Sequence, residues 1–208
     1  DGTLLNTLTD LADAGNRLCR KYGWPTHERQ AYRYFVGNGI PKLVERLAPA
    51  DQRPPAVLEA ALADFKRDYG QHLRDTTAPY PGIPEMLAKL KANGVQLAVF
   101  SNKADALAKE VVKDYFGTQY FTIVRGQMTG VAPKPAAEGT NALLQALHAD
   151  PASTLYGGDS NVDVETAHNA NLPCCGAVWG FRTREELNAA GAEYLAENSD
   201  ELYDVIMK

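Results

Sequence analysis

Four short runs carry the residues whose types could do chemistry together. They are Asp1-Gly2-Thr3-Leu4, Ser101-Asn102-Lys103, Pro133-Lys134-Pro135 and Gly157-Gly158-Asp159-Ser160-Asn161-Val162-Asp163. Carboxylates bind hard divalent cations, while a hydroxyl and an ammonium hold phosphate oxygens. The set therefore suits a divalent cation and a phosphate bound side by side. Taken singly, each run has an ordinary explanation. Asp-Gly is a turn signal. Ser101-Asn102 behind a strand serves equally as a helix N-cap. A lysine between prolines is usually a solvated charge. The run from Asp159 begins like a calcium loop, but its sixth position is Val164 rather than Gly and its twelfth is Ala170 rather than Glu. Their order, and their placement behind separate elements, makes chance assembly a poor account of all four.

The elements that must position them fall into two groups. From Leu8 to Tyr22 the apolar residues recur with a helical period, and Gly23 is a plausible stop. Further helices are expected after Thr26, over Ile40–Leu47 and from about Ala56 to His72. Beyond Pro81 the pattern alternates. Strands are expected at Val95–Phe100, Thr122–Val124, Thr154–Tyr156, Cys175–Trp179 and Tyr194–Leu195, with helices between and after them. Apolar strands alternating with helices imply a parallel sheet covered on both faces. The expected fold is α/β: a Rossmann-like parallel-sheet core with an inserted all-helical cap. Residues 1–7 plus 79–208 would form the core and 8–78 the cap, with Thr76–Pro81 as the return linker. In such a sheet, ligands bind at the carboxyl ends of the strands. That edge is where three of the four runs are expected.

Composition narrows the function classes. The 208 residues hold 21 Lys plus Arg against 26 Asp plus Glu, a formal charge of −5. A net acidic chain lacks the basic footprint of a nucleic-acid binder. Hydrophobic residues make up 45%, enough to build a core rather than a disordered chain. No run reaches the roughly 18 apolar residues of a membrane span. The three cysteines, Cys19, Cys174 and Cys175, have neither zinc-site nor disulfide spacing, so they are expected to be small buried hydrophobes in a reducing cytoplasm.

In their order, Asp1-Gly-Thr-Leu, Ser101-Asn102, Lys134-Pro135 and Gly158-Asp159-Ser160-Asn-Val-Asp163 resemble the four motifs of the haloacid dehalogenase superfamily. The resemblance covers the whole chain, with a helical cap between the first and second motifs. Within the superfamily the chain is most similar to the phosphoglycolate phosphatases. The stretch Val36-Gly37-Asn38-Gly39-Ile-Pro-Lys-Leu43-Val-Glu-Arg46-Leu47 and the late Val178-Trp179-Gly180-Phe181 carry that likeness. Two departures stand out. The family's first motif is Asp-x-Asp-Gly-Thr, and this chain starts at the second Asp. The nucleophilic Asp two residues upstream, and the central strand that bears it, lie outside the numbered sequence. Losing a central strand would leave backbone groups unpaired, so the sequence is expected to be trimmed. The second departure is Lys134-Pro-Ala-Ala, where relatives often carry another Pro; it touches only the local turn.

The resemblance implies a role for each matching residue. The upstream Asp would attack phosphorus and form an aspartyl-phosphate. Asp1 would be the acid/base, with its carbonyl facing Mg²⁺, the implied cofactor. Asp159 would bind the metal directly, and Asp163 would orient the metal's water shell or Lys134. Ser101 would hold a phosphoryl oxygen and Lys134 would neutralise the transferring group. Thr3, Asn102, Gly39 and Lys42 are the expected substrate contacts. The implied partner is a small phosphorylated metabolite, best guess 2-phosphoglycolate. A helical cap can exclude water, Gly37-Asn38-Gly39 offers unhindered N–H groups, and Lys42 or Arg46 could meet a carboxylate. A sugar-phosphate mutase on the same core is the alternative enzyme. A dehalogenase is disfavoured because Asp1 is acidic. A phospho-accepting receiver is disfavoured by the order of its carboxylates and by the insertion. A non-catalytic phospho-ligand binding module would follow only if the nucleophile were truly absent.

Overall fold

The computed structural model describes all residues from Asp1 to Lys208. They form two compact units: Asp1 with Leu5–Ala78, and Gly2–Leu4 with Pro79–Lys208. A short strand β1 (Leu5–Asn6) pairs with β2 (Ala78–Pro79) where the chain leaves and re-enters the second unit.

The first unit is helical: α1 (Leu8–Tyr22), α2 (Arg29–Phe35), α3 (Ile40–Leu47) and α4 (Pro55–Gln71). Helix α1 ends where the sequence pattern stops, because Gly23 adopts a left-handed conformation and its N–H closes on Arg20 O. Leu11, Leu18 and Cys19 of α1 are buried, as are Leu43, Val44 and Leu47 of α3 and Ala61, Phe65 and Tyr69 of α4. Each large apolar side chain among them contributes roughly 1.5–3 kcal/mol by leaving water. Helices α1 and α2 meet at Gly15, where an added Cβ would lie 2.5 Å from the Tyr32 ring. Tyr32 is fully buried, whereas Tyr34 is half exposed. Buried Asp10 at the start of α1 accepts four hydrogen bonds, from the N–H and hydroxyl of Thr76 and of Thr77.

The second unit alternates α5 (Ile83–Ala92), β3 (Leu97–Ala104), α6 (Asp105–Phe116), β4 (Phe121–Gln127), α7 (Glu138–Leu147), β5 (Tyr156–Gly158), α8 (Asn161–Asn169), β6 (Cys174–Ala177), α9 (Arg184–Ala189), β7 (Tyr194–Ala196) and α10 (Ser199–Ile206). All its strand pairs are parallel, as the alternation requires. They form two ladders, β3–β4 and β5–β6–β7, with no pairing between them. Strand β3 begins later than expected, because the Val95 N–H turns back to Leu90 O to close α5. It also runs further, so Ser101, Asn102 and Lys103 belong to the strand itself rather than to the loop behind it. The strand is less buried than an apolar run implies: Ala98 is exposed and Val99 and Phe100 are half-buried. Gly157 of β5 is exposed as well. By contrast, Cys174 and Cys175 on β6, the middle strand of its ladder, are fully buried. All three cysteines are free, and burial pushes the Cys19 and Cys175 thiols up to about 11. They are inert core residues. No helix is long and apolar enough to cross a membrane.

Candidate active site

The site gathers at the carboxyl ends of β3 and β5. Asp159 follows β5 directly and is 3% exposed. Three glycines make room around the two carboxylates. A Cβ on Gly2 would lie 2.1 Å from Asp159 Oδ2, and Gly2 sits at φ +76°, so it meets a steric and a conformational demand at once. A Cβ on Gly180 would lie 2.2 Å from Asp159 Cβ, and one on Gly158 the same order of distance, 2.1 Å, from Asp163 Cβ. The Asp159 carboxylate accepts two hydrogen bonds, from the Thr3 hydroxyl to Oδ1 at 2.7 Å and from Phe181 N–H to Oδ2 at 2.9 Å. Burial, then the charge of Asp163, pushes the Asp159 pKa up.

Asp163, one turn into α8, is bound differently. Its Oδ2 accepts from Asp159 N–H, Ser160 N–H and the Ser160 hydroxyl. Its Oδ1 accepts from Lys134 Nζ at 2.6 Å. Burial opposes the Asp163 charge, but Lys134 and the Ser160 donors outweigh it, and its pKa falls. Burial likewise opposes the Lys134 charge, yet Asp163 holds the ammonium protonated well above its ordinary range. The Lys134 backbone is clamped by the Asn102 amide. Lys134 N–H donates to Asn102 Oδ1 at 2.8 Å, and Asn102 Nδ2 donates to Lys134 O at 3.2 Å. Ser101 Oγ accepts from Lys103 N–H at 3.1 Å.

Thr3, Asn102, Lys134, Asp159 and Asp163 are thus joined through these bonds, in one group linking Thr3 to Asp159 and Asp163 and another linking Asp163 to Lys134 and Asn102. Ser101 is the strand neighbour of Asn102. Asp1 is exposed and immediately precedes Gly2. Gly39 and Lys42 belong to the helical unit. Gly39 has φ +84° just ahead of α3, and Lys42 is ion-paired with Glu45 at 2.8 Å. Arg46 donates to the Tyr34 and Phe35 carbonyls and to Asn38 Oδ1, so it shapes the glycine-flanked loop. Sequence reasoning missed two roles, one of a side chain and one of a backbone segment. One is the Asn102 amide as a backbone clamp. The other is the segment Val178–Arg182, whose backbone reaches Asp159; the glycine at 180, flanked by aromatics, was its only local signal.

No three His, Cys, Asp or Glu side chains cluster as a preformed metal cage. A buried carboxylate with two donors and a raised pKa nevertheless fits a hard divalent cation, which would supply the missing charge compensation. An ammonium, a hydroxyl and a buried carboxylate with few donors stand at the carboxyl edge of parallel strands, where α/β sheets bind their ligands, and these residue types suit a phosphate beside a hard cation. The comparisons with known proteins are specific. The family described as haloacid dehalogenase-like hydrolase matches residues 1–177, and the chain belongs to that family. A phosphoglycolate phosphatase from Thiobacillus denitrificans is 30% identical over 184 residues, covering 87% of this chain and 81% of the relative. One from Chromobacterium violaceum is 29% identical, covering 99% and 93%. A crystal structure from Lactobacillus delbrueckii subsp. bulgaricus has a TM-score of 0.90 at 29% identity, covering 99% of this chain and 95% of that one. The chain is a phosphatase of this family, a phosphoric monoester hydrolase.

Proposed function

We propose that the protein is a Mg²⁺-dependent phosphatase of a short phosphorylated acid, with 2-phosphoglycolate the first candidate, acting through an aspartyl-phosphate. The observation that carries the metal reading is Asp159: buried, accepting two hydrogen bonds, and beside a Lys134–Asp163 pair already satisfied. Asp159 and the Asp1 carbonyl would hold Mg²⁺, whose charge lowers the cost of bringing a phosphate dianion to a carboxylate. Lys134 carries a fixed positive charge to the transferring oxygens, and Asp163 keeps it aimed. The Ser101 hydroxyl and Asn102 N–H would hold a phosphoryl oxygen, and the Thr3 hydroxyl keeps Asp159 turned toward the metal. Asp1 would protonate the leaving alkoxide and then take a proton from water. The attacking carboxylate would be the Asp that the family resemblance implies for the first motif.

Residues 8–78 would act as a cap over this site. The substrate reading is supported by the names of the relatives and by the loop Gly37-Asn38-Gly39, stiffened by Arg46. Because Arg46 is engaged in that loop, Lys42 is the better candidate for a substrate carboxylate; its pair with Glu45 is exposed and readily exchanged. The test compares kcat/KM for 2-phosphoglycolate, hexose phosphates and uncharged short-chain monoesters. A preference of tenfold or more for 2-phosphoglycolate is expected. The opposite preference by tenfold (~1.4 kcal/mol of transition-state discrimination) overturns the substrate and leaves the phosphatase.

A further inference from the structure

We propose that Trp179 is a positioning residue for Asp159, acting through Thr3, and thereby sets the affinity of the metal site. This rests on the reading of Asp159 as the metal ligand.

Both oxygens of Asp159 are held by groups that trace back to one segment, Val178–Arg182. Phe181 N–H bonds Oδ2 directly, at 2.9 Å. The Thr3 hydroxyl bonds Oδ1 at 2.7 Å, and the Thr3 carbonyl accepts from the Trp179 indole Nε1–H at 3.0 Å. Arg182 N–H adds a bond to the Asp159 carbonyl at 3.2 Å. The segment itself is anchored. Val178 N–H donates to Ala196 O on β7 at 2.9 Å, and Gly180 N–H closes a turn on Ala177 O at 3.2 Å. Gly180 packs against both Asp159 Cβ and the Gly2 carbonyl, an approach that only a missing side chain permits. The segment is therefore a bracket, with one arm of backbone and one arm of indole.

The indole arm matters because Thr3 lies in an irregular stretch next to Gly2, with no regular helix or strand bonds of its own. Its neighbour Leu4 is fixed by Tyr80 N–H at 3.0 Å. Trp179 fixes the next carbonyl back, and with it the direction of the Thr3 hydroxyl. Mg²⁺ demands near-ideal octahedral geometry, so a carboxylate free to rotate binds it less well. Groups that orient a metal ligand typically contribute ~10–100-fold in affinity or activity.

Trp179→Phe keeps most of the ring and removes the donor. In the full-length protein, Mg²⁺ binding is measured by titration calorimetry, with Asp159→Asn as the metal-site control and thermal melting as the fold control. The expected result is binding weakened about tenfold or more by Trp179→Phe, with kcat recovering at saturating Mg²⁺. A Thr3→Val variant, which keeps the shape and removes the hydroxyl, completes a double-mutant cycle. The second loss should be smaller in either variant background than in the wild type, because both lie on one arm. In a Trp24→Phe background, Trp179 emission should respond to Mg²⁺, and the response should vanish with Asp159→Asn. If wild type binds Mg²⁺, Asp159→Asn does not, and Trp179→Phe binds as well as wild type, the positioning role is overturned and the metal site stands. Additive losses in the cycle overturn it too. If wild type binds no Mg²⁺, or Asp159→Asn binds it unchanged, the metal reading fails and the inference falls with it.

Discussion

Asp10 and Asp159 are both buried carboxylates at 2–3% exposure, one in the helical unit and one in the α/β unit, and they are dressed in opposite ways. Asp10 accepts four hydrogen bonds from two threonines. Its lone pairs are fully used, and its work is to fasten the returning chain to the first turn of α1. Asp159 accepts two, and burial pushes its pKa up. A saturated buried carboxylate holds structure, whereas an under-bonded one keeps lone pairs that a cation would satisfy. Asp163, only four residues from Asp159, sides with Asp10: it accepts four donors, one of them the Lys134 ammonium.

The contrast yields four expectations, in falling order of effect. Lys134→Met removes the cation from a buried pair and leaves Asp163 charged. The loss should be about 3–5 kcal/mol of stability, read by denaturant unfolding, together with turnover; an unchanged midpoint would show that Asp163 is not held by that pair. Asp159→Asn should lower turnover by roughly 10²–10³-fold, the scale for losing one preorganised charge-stabilising group. Its metal-free stability should hold or rise at neutral pH. A raised folded pKa means the ionised form opposes folding once pH exceeds the ordinary carboxylate range, and Asn is neutral. Asn also keeps both bonds, accepting from Phe181 N–H and donating to the Thr3 hydroxyl. A marked fall in melting temperature with turnover intact would place Asp159 with Asp10.

Asp10→Ala should do the reverse. Stranding the donors of buried Thr77, while those of exposed Thr76 turn to water, should lower stability by about 1–3 kcal/mol while Mg²⁺ affinity stays at the wild-type value; a weakened metal site would break the division. The smallest effect belongs to Asp64, whose pKa is lowered to about 2, chiefly by its bond from Lys21 and then by Tyr22. A depressed folded pKa contributes stability above the unfolded value of ~3.9, and that contribution fades as pH falls toward about 2. Asp64→Asn should therefore melt slightly below wild type at pH 7, with the two converging near pH 2. A constant gap across that range would remove the ion pair from the account.

How much of this was legible in the sequence depended on range. The catalytic runs are contiguous, so their residue types could be read together, and the period of Leu8–Tyr22 with Gly23 behind it marked α1 to the residue. The start of β3 was misplaced because Val95 is apolar yet closes the preceding helix. Its end was misplaced because Ser101–Lys103 look like a loop but continue the strand. Asp10 is an ordinary acidic residue in the first turn of an amphipathic helix until Thr76 and Thr77, far along the chain, come to rest on it. Trp179 is separated from Thr3 by nearly the whole chain. No local pattern announces a bond of that range, and these long-range bonds distinguish the two kinds of carboxylate.

The most direct test of the account is phosphate release from 2-phosphoglycolate across a Mg²⁺ titration, with the full-length wild type beside Asp159→Asn. Release by the wild type should rise with Mg²⁺ and collapse when the metal is chelated, while the variant stays low throughout. Equal, metal-independent release by both proteins would contradict the assignment of Asp159 as the carboxylate that holds the metal.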